Sequence, residues 1–344
     1  MARLEVLAAA DAREAPTRWV GAVLCHDVPG PGRRPALLKG HRLVRADSLT
    51  LEASGLEELH LLWLDEGDVD EDSAAVRLAA AVSGAGVVVH RPVESQIRLS
   101  AAHRGLFHVD SAVLHAVNLV NGCTVFTLPD GMPVDEGRTL GGAKITPLAV
   151  SEDELRDAED AARTTGAPLQ VLPFHPLRVS ALFRERLSDV ERERFEATLH
   201  RKTEWFGGTV TALRSHHGPI DSLEIVELAR GADILLIPGV TSVDPLEATW
   251  SSVMSAGARV VRRGLPVHPG SSYWIAELGT CSIIGVASCG TVSRRTALDL
   301  LLVRRFAGLP LDPGFLAGLG YGGLLATEMA WRFPRYEGGE DEED

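Results

Sequence analysis

The sequence has few cysteines and no metal-binding motif. Of its 344 residues only Cys25, Cys123, Cys281 and Cys289 are cysteine, no Cys-x-x-Cys pair occurs, and the twelve histidines form no His-Glu-x-x-His pattern. Cys281 and Cys289 flank an apolar run, and a strand rising ~3.3 Å per residue would hold them beyond disulfide reach. We therefore expect reduced thiols in a reducing compartment.

Long hydrophobic runs and an excess of basic charge are also absent. No segment reaches the roughly 18 consecutive apolar residues that a membrane-spanning helix needs. The short apolar start at 1–7 contains an acid and lacks a cleavage site for a secretory signal. Acids outnumber bases 47 to 34, and six of the acids lie in the last eight residues. The sequence thus predicts a cytoplasmic protein without a nucleic-acid or membrane partner, although it allows a small anion in one local basic pocket.

The remaining features divide the chain into two main parts. At roughly 150 residues per domain, the length favours two domains. Residues 1–150 mix short apolar runs with dense Gly and Pro turn signals, which predict a strand-rich lobe. A charged stretch at 151–167 opens with the capping pair Ser151 and Glu154 and predicts a helical connector. An α/β domain at 168–325 and an acidic, solvated tail at 326–344 are predicted to follow.

Strands and helices alternate in the predicted α/β domain. Strands are predicted at 177–183, 209–213, 232–237, 258–261 and 281–287, with helices at 189–206, 222–230, 246–256 and 293–306. This alternation implies right-handed crossovers and a mostly parallel sheet with helices on both faces, that is, a three-layer sandwich. Small ligands bind at the carboxyl ends of the strands in such sheets. The loops that follow the strands are therefore the places to search for chemistry.

The loop after the strand 232–237 has the composition of an oxyanion or phosphate cradle. Gly239 allows a close backbone turn, Thr241 and Ser242 offer hydroxyls, and the next helix adds free N–H groups and its positive dipole end. Asp244 departs from this pattern because a carboxylate repels an anion. It either caps the helix, or it orients a donor, binds a metal or transfers a proton.

Other strand ends carry small, hydroxylated or basic residues. Arg184 follows the strand 177–183 and suits bidentate recognition of phosphate or carboxylate, although solvation at the surface is the commoner fate of such a residue. The two remaining loops contain Pro269, Gly270 and Ser271, and Ser288, Cys289 and Gly290. We expect these loops to converge on one rim of the sheet and to form a pocket for an anionic ligand.

Three segments of the C-terminal half occur in a characteristic order, namely Asp233–Asp244, Gly257–Gly270 and Ile284–Gly290. In order and spacing this half resembles the molybdopterin-binding domain of molybdenum cofactor biosynthesis proteins, including the molybdopterin molybdenumtransferases. In the N-terminal half, residues 21–26, 38–41 and 144–147 are similar to the companion region of such proteins. The resemblance covers most of residues 20–325.

The resemblance implies a ligand, a reaction and residue roles. The ligand would be molybdopterin or its adenylylated form, bound by the residues of the three loops, which are Gly239, Thr241, Ser242, Pro269, Gly270, Ser271, Ser288, Cys289 and Gly290. The reaction would be molybdate insertion with cleavage of the adenylylated form, assisted by Mg²⁺. Asp244 would be the metal ligand or the proton-transfer group, and the hydroxyls of Thr241, Ser242 and Ser271 would hold phosphate.

Departures from the family pattern leave alternatives open. Pro238–Gly239 stands where the family has two adjacent glycines, Ala287–Ser288 replaces its Pro-Gly, and Asp244 and Glu247 compete for the position of its acidic residue. One alternative to an enzyme is a noncatalytic carrier that delivers molybdopterin or finished cofactor to a molybdenum apoenzyme. Another is a nucleotide-binding regulator. The chain is also expected to form a homo-oligomer.

Overall fold

The computed structural model describes residues 3–12, 16–93, 95–184, 188–216, 218, 220–239, 248–286, 295–334 and 336. The strands are β1 (Arg3–Ala8), β2 (Val23–Leu24), β3 (Val28–Pro29), β4 (Pro35–Leu37), β5 (Glu58–Trp63), β6 (Asp68–Asp70), β7 (Val87–Val89), β8 (Gln96–Ala101), β9 (Gly105–Val109), β10 (Cys123–Thr127), β11 (Met132–Val134), β12 (Thr139–Ile145), β13 (Ala149–Ser151), β14 (Leu169–Pro173), β15 (Arg178–Arg184), β16 (Thr209–His216), β17 (Ile234–Pro238), β18 (Arg259–Arg263), β19 (Trp274–Leu278) and β20 (Cys281–Val286). The helices are α1 (Ser48–Glu52), α2 (Glu71–Val82), α3 (Ser111–Asn118), α4 (Glu152–Arg163), α5 (Asp189–Trp205), α6 (Ser222–Gly231), α7 (Ala248–Ser255), α8 (Ala297–Phe306) and α9 (Pro313–Gly318).

The chain forms two compact units. The first unit comprises residues 1–103, 107–130 and 135–171, and the second comprises 104–106, 131–134 and 172–344. The first unit contains the sheets β1-β5-β2 and β10-β12-β8-β7, which are antiparallel throughout. Helices α1 to α4 also belong to this unit, and α4 begins at the predicted capping pair of Ser151 and Glu154.

A six-stranded sheet organises the second unit. Its order is β16-β15-β17-β20-β19-β18, and β16, β15, β17 and β20 pair in parallel. Strand β19 is antiparallel to both of its neighbours, β20 and β18. Strand β18 therefore runs in the same direction as the parallel strands. The protein is thus a mixed α/β structure with several sheets, of which this one is mostly parallel.

Alternate residues of these strands point into two separate apolar clusters. Ile234 and Leu236 of β17 belong to the cluster that contains the buried side chains of α5 and α8. Leu235 and Ile237 belong to the cluster that contains those of α6 and α7. All four β17 side chains are fully buried, as expected of a parallel strand that is covered on both faces.

Local capping signals determine where two helices of this unit begin. Ser188 accepts a hydrogen bond from the amide of Glu191, so α5 begins at Asp189 as predicted. The prediction that the last long helix begins at Ser293 is wrong in its boundary, because Arg295 and Thr296 are not helical. Thr296 has extended backbone (φ −144°) and forms a capping box with Asp299, so α8 begins at Ala297.

Strand β19 was not predicted. A two-residue connection, Gly279–Thr280, joins β19 to β20, and Leu278 pairs with Cys281 across it. Gly279 has φ +61°, the left-handed conformation that glycine adopts readily. A glycine between two apolar runs is a hairpin signal, so the sequence did contain the information that places this strand.

Membrane-spanning helices and disulfides are both missing from the described part of the chain. No helix there has the length and apolar character needed to cross a bilayer. Cys25, Cys123 and Cys281 are free thiols, and the last two are buried. Burial raises the pKa of Cys123 to about 11 and that of Cys281 to about 12, so both stay protonated at neutral pH.

Candidate functional site

The carboxyl ends of the parallel strands lie at one edge of the six-stranded sheet. Arg184 pairs with His216 at the ends of β15 and β16, and Pro238 pairs with Val286 at the ends of β17 and β20. The chain leaves β15 toward α5, on one face, and leaves β17 toward α7, on the other face. The boundary between β15 and β17 is therefore the topological switch point, where open α/β sheets bind their ligands.

Gly239 marks the base of the first predicted binding loop. Its amide donates to the carbonyl oxygen of Val286 at 2.9 Å, so the ends of β17 and β20 are bonded to each other. Its φ of +82° lies in the left-handed region, where a side chain would strain the backbone. Gly239 thus redirects the chain at the point where the segments 240–247 and 287–294 leave adjacent strands.

The loop at 264–273 reaches the same edge because it joins the end of β18 to the start of β19. Two backbone bonds close it, from Gly264 to Tyr273 at 2.8 Å and from Leu265 to Ser271 at 3.0 Å. Its far side is held by α8, whose first residue, Ala297, donates its amide to the carbonyl of Pro269 at 3.0 Å.

Gly270 is required at its position in this loop. It has φ +124°, and a Cβ there would lie 2.4 Å from the Cβ of Ala297. No other residue fits without displacing either the loop or the start of α8.

Arg263 supplies positive charge at this edge. It is the exposed last residue of β18, and its guanidinium carbon lies 4.0 Å from the ring centroid of Trp250. Trp250 is the third residue of α7, the helix that follows the segment 240–247. An aromatic face orients an arginine without neutralising it, so Arg263 remains available to an anion.

Several other cations near the strand ends are already paired. Arg214 donates to Glu227 at 2.8 Å, and His216 lies 2.9 Å from Glu224. Arg192 is within 4 Å of both Asp189 and Glu196. These pairs leave Arg263 as a better source of positive potential than Arg214, His216 and Arg192. Arg263 is not among the predicted site residues, although its place between a strand and Gly264 follows the rule used for the other loops.

The structure describes only part of the predicted site. Gly239, Pro269, Gly270 and Ser271 lie at the carboxyl edge, with Gly270 buried and Ser271 exposed. The backbone of Arg184 also lies at this edge, and its side chain is not among the described parts of the structure. Several predicted residues are also outside the described residues, namely Thr241, Ser242, Asp244, Glu247, Ser288, Cys289 and Gly290. Their ligand-binding and catalytic roles stay predictions.

The described residues give no support for a metal centre. Across the described ranges, no group of three or more His, Cys, Asp and Glu side chains is arranged to hold a metal ion. Asp244, the predicted ligand, is not among these residues. Its role as a metal ligand stays a prediction.

No protein-family model and no curated protein matches the chain. Among solved structures, it is similar to a molybdopterin biosynthesis MoeA protein from Pyrococcus horikoshii, with 13% identity, a TM-score of 0.28, and coverage of 70% of this chain and 80% of that chain. A second structure of this kind, from Pyrococcus horikoshii OT3, gives 10% identity and a TM-score of 0.25 over 71% and 80% of the two chains. Scores this low do not establish a common fold, so the matches assign neither a family nor a function to this chain.

Proposed function

We propose that the second unit is a three-layer α/β domain that binds an anionic pterin, molybdopterin or its adenylylated form, at the carboxyl edge of its sheet. The observation that carries this proposal is the switch point between β15 and β17, beside which Gly239 opens the predicted anion-binding loop. The sequence resemblance to molybdopterin-binding domains supplies the identity of the ligand. The protein then acts in molybdenum cofactor biosynthesis.

The charge at this edge fits a phosphate-bearing ligand. Arg263 lies there without a neutralising carboxylate among the described residues, and it stacks on Trp250 in the first turn of α7, which begins at Ala248. Backbone amides and an arginine are common partners of phosphate oxygens. A protein with a net charge of −13 needs such a local site to attract an anion at all.

The proposed reaction is insertion of molybdate into molybdopterin with cleavage of its adenylylated form. In this proposal, Thr241, Ser242 and Ser271 hold phosphate, and Asp244 transfers a proton or binds a metal ion. Arg184, Pro269, Gly270, Ser288, Cys289 and Gly290 complete the rim. A carrier would need only the residues that bind the ligand and not the proton transfer by Asp244, since it releases the ligand unchanged to an apoenzyme.

Anaerobic titration with purified molybdopterin, followed by tryptophan fluorescence, tests the binding proposal. Saturable binding that Gly270→Ala abolishes is expected, with Gly231→Ala as a control because a Cβ at Gly231 meets nothing within 4 Å. Failure of the wild-type protein to bind would contradict the proposal. Incubation of the protein with adenylylated molybdopterin and molybdate then distinguishes an enzyme from a carrier. An enzyme releases AMP, and Asp244→Asn is expected to abolish this release, whereas a carrier releases no AMP.

A further inference from the structure

A buried polar network contacts the start of α8, the helix that is bonded to the proposed ligand rim. The ammonium group of Lys202, in α5, is 2.6 Å from Oδ1 of Asp299, in α8. The hydroxyl of Tyr336 donates to the same oxygen at 2.9 Å. Lys202 is 2% exposed and Asp299 is fully buried. Removing one partner of a buried ion pair is strongly destabilising, because the other charge is left unpaired.

The second oxygen of Asp299 connects the network to the start of α8. Oδ2 accepts the backbone amide of Thr296 at 2.9 Å. The hydroxyl oxygen of Thr296 accepts the amide of Leu298 at 3.2 Å and the hydroxyl of Tyr273 at 3.3 Å. Asp299 therefore fixes the residue that caps α8, and this cap also contacts the residue that precedes β19.

The start of α8 in turn holds the loop at 264–273. Ala297 donates its amide to Pro269, and its Cβ fits against the space left by the missing side chain of Gly270. A displacement of the α8 cap would therefore displace Pro269 and Gly270, which are two residues of the proposed ligand rim.

Tyr336 brings a distant part of the chain into this network. Its ring is 5.9 Å from that of Trp205 and 6.3 Å from that of Phe206, and Lys202 lies 5.4 Å from its centroid. Burial, together with the neighbouring Asp299 carboxylate, raises the pKa of the Tyr336 phenol well above its usual value. The hydroxyl therefore keeps its proton and remains a donor at neutral pH.

We propose that Lys202, Asp299 and Tyr336 are positioning residues, which hold the first turn of α8, and through it Pro269 and Gly270, in the geometry that the ligand requires. The last step rests on the proposed function. The consequence is that residue 336, far from the loop in sequence, controls the order of the loop and its affinity for ligand.

Hydrogen exchange in Tyr336→Phe tests the positioning step without any ligand. This variant loses one hydroxyl, and the amides of Leu265, Ala297 and Leu298 are expected to exchange about tenfold faster, the effect of losing a hydrogen bond to a charged group. Amides of β17 should not change, because the sheet is not involved. Tyr321→Phe is the matched control, since Tyr321 is 99% exposed. Unchanged exchange at the three amides, or an equal increase at β17, would overturn the proposal.

A pair of deletions gives an independent test. A chain that ends after Tyr336 retains the network, whereas a chain that ends after Arg335 loses it, and the two differ by one residue. The first is expected to match wild type in the exchange of Leu265, Ala297 and Leu298, and the second to match or exceed Tyr336→Phe.

Molybdopterin titration of the same variants tests the link to the site. About tenfold weaker binding is expected in Tyr336→Phe and in the shorter chain, and wild-type binding in Tyr321→Phe and the longer chain. Thr296→Ser, which keeps the capping oxygen, should bind as wild type does, while Thr296→Val should not. Faster exchange with unchanged affinity would overturn the positioning role. If wild type itself binds no molybdopterin, the proposed function fails, and the exchange data alone decide whether the network holds the loop.

Discussion

Near the carboxyl edge, a glycine without a side chain makes room for a buried tryptophan. Gly285 of β20 pairs with Trp274 of β19, and a Cβ at Gly285 would lie 2.0 Å from the indole ring. Trp274 is fully buried and packs edge to face against Trp250, with ring centroids 5.2 Å apart. The glycine therefore allows the indole to lie over the sheet next to the proposed site.

Gly285→Ala is expected to lower the free energy of unfolding by about 1–3 kcal/mol, the usual effect of overpacking a core. The indole has no room to move because Trp250 packs against it. Urea unfolding followed by circular dichroism measures the change. Gly231→Ala, at an open position in the same unit, should leave stability nearly unchanged. Equal stability of Gly285→Ala and wild type would show that the Trp274 ring shifts freely.

Arg263→Met is expected to weaken molybdopterin binding by about tenfold or more, because a hydrogen bond to a charged group contributes about 1.5–3 kcal/mol. The methionine keeps apolar contact with Trp250, so folding should be preserved. Arg259→Met is the matched control at the opposite end of β18, where Arg259 pairs with Glu277. Equal losses in both variants would indicate a general charge effect rather than a contact at the site.

At the scale of elements, the capping signals proved the most reliable part of the sequence analysis. The capping pair of Ser151 and Glu154 correctly predicted where α4 begins, and the predicted start of the helix 189–206 agrees with that of α5. The similar pair at Thr296 and Asp299 was overlooked, so the start of α8 was placed too early. Capping is local, which is why a sequence can reveal it. The burial of Lys202 against Asp299 depends on the packing of two helices that are distant in sequence, so the charged pattern of α5 gives no sign of it.

In the first unit, Arg77 of α2 joins this helix to α4. It donates to Glu152 at 2.7 Å and to Glu159 at 2.9 Å. Its side-chain hydrogen bonds are the main cause that holds the pKa values of both carboxyl groups below the ordinary 4.5. A carboxyl group whose pKa is lower in the folded than in the unfolded state stabilises the fold at pH values above its unfolded-state pKa. This stabilisation is lost as the pH falls through the folded-state pKa.

Arg77→Met is therefore expected to lower the free energy of unfolding at pH 7 and to flatten its decline below about pH 4.5. Urea unfolding between pH 7 and pH 3 measures both effects. Arg163→Met is the control, because Arg163 lies on α4, is 59% exposed and contacts Glu159 only at 3.8 Å. Its effect should be small, as for most surface ion pairs. Parallel pH curves for wild type and Arg77→Met would contradict the prediction.

At the scale of the whole molecule, the alternation of strands and helices was enough to predict an α/β protein with a mostly parallel sheet. It did not predict the reversal at β19, because that strand is marked by the turn glycine Gly279 and not by the alternation of strands and helices. The partner strands of β15 were likewise not predictable, since strand order depends on which helix covers which face. From the sequence, the parallel strand directions indicate that the binding loops leave the sheet at the same edge. They do not indicate how close the loops come to one another.

The burial of the thiols predicts how the native molecule reacts with an aromatic disulfide reagent. In Cys289→Ser, only Cys25 is expected to react while the protein is folded, because it is partly exposed, whereas Cys123 and Cys281 are buried with raised pKa values. All three should react in urea. Absorbance of the released thiolate counts them, and Cys25→Ser in the same background should abolish the native reaction. Rapid reaction of a buried thiol would contradict the described packing.

The hydrogen bond from the Gly239 amide to the Val286 carbonyl suggests where the ligand specificity of this protein can be changed by engineering. The segments 240–247 and 287–294 begin immediately beyond this bond, on strands whose alignment it locks. Replacing either segment by one of different length changes the residues that contact the ligand. The pairing of β17 with β20 beneath the loops is expected to stay the same. Loop grafting at these two anchored points is therefore a direct route to altered specificity.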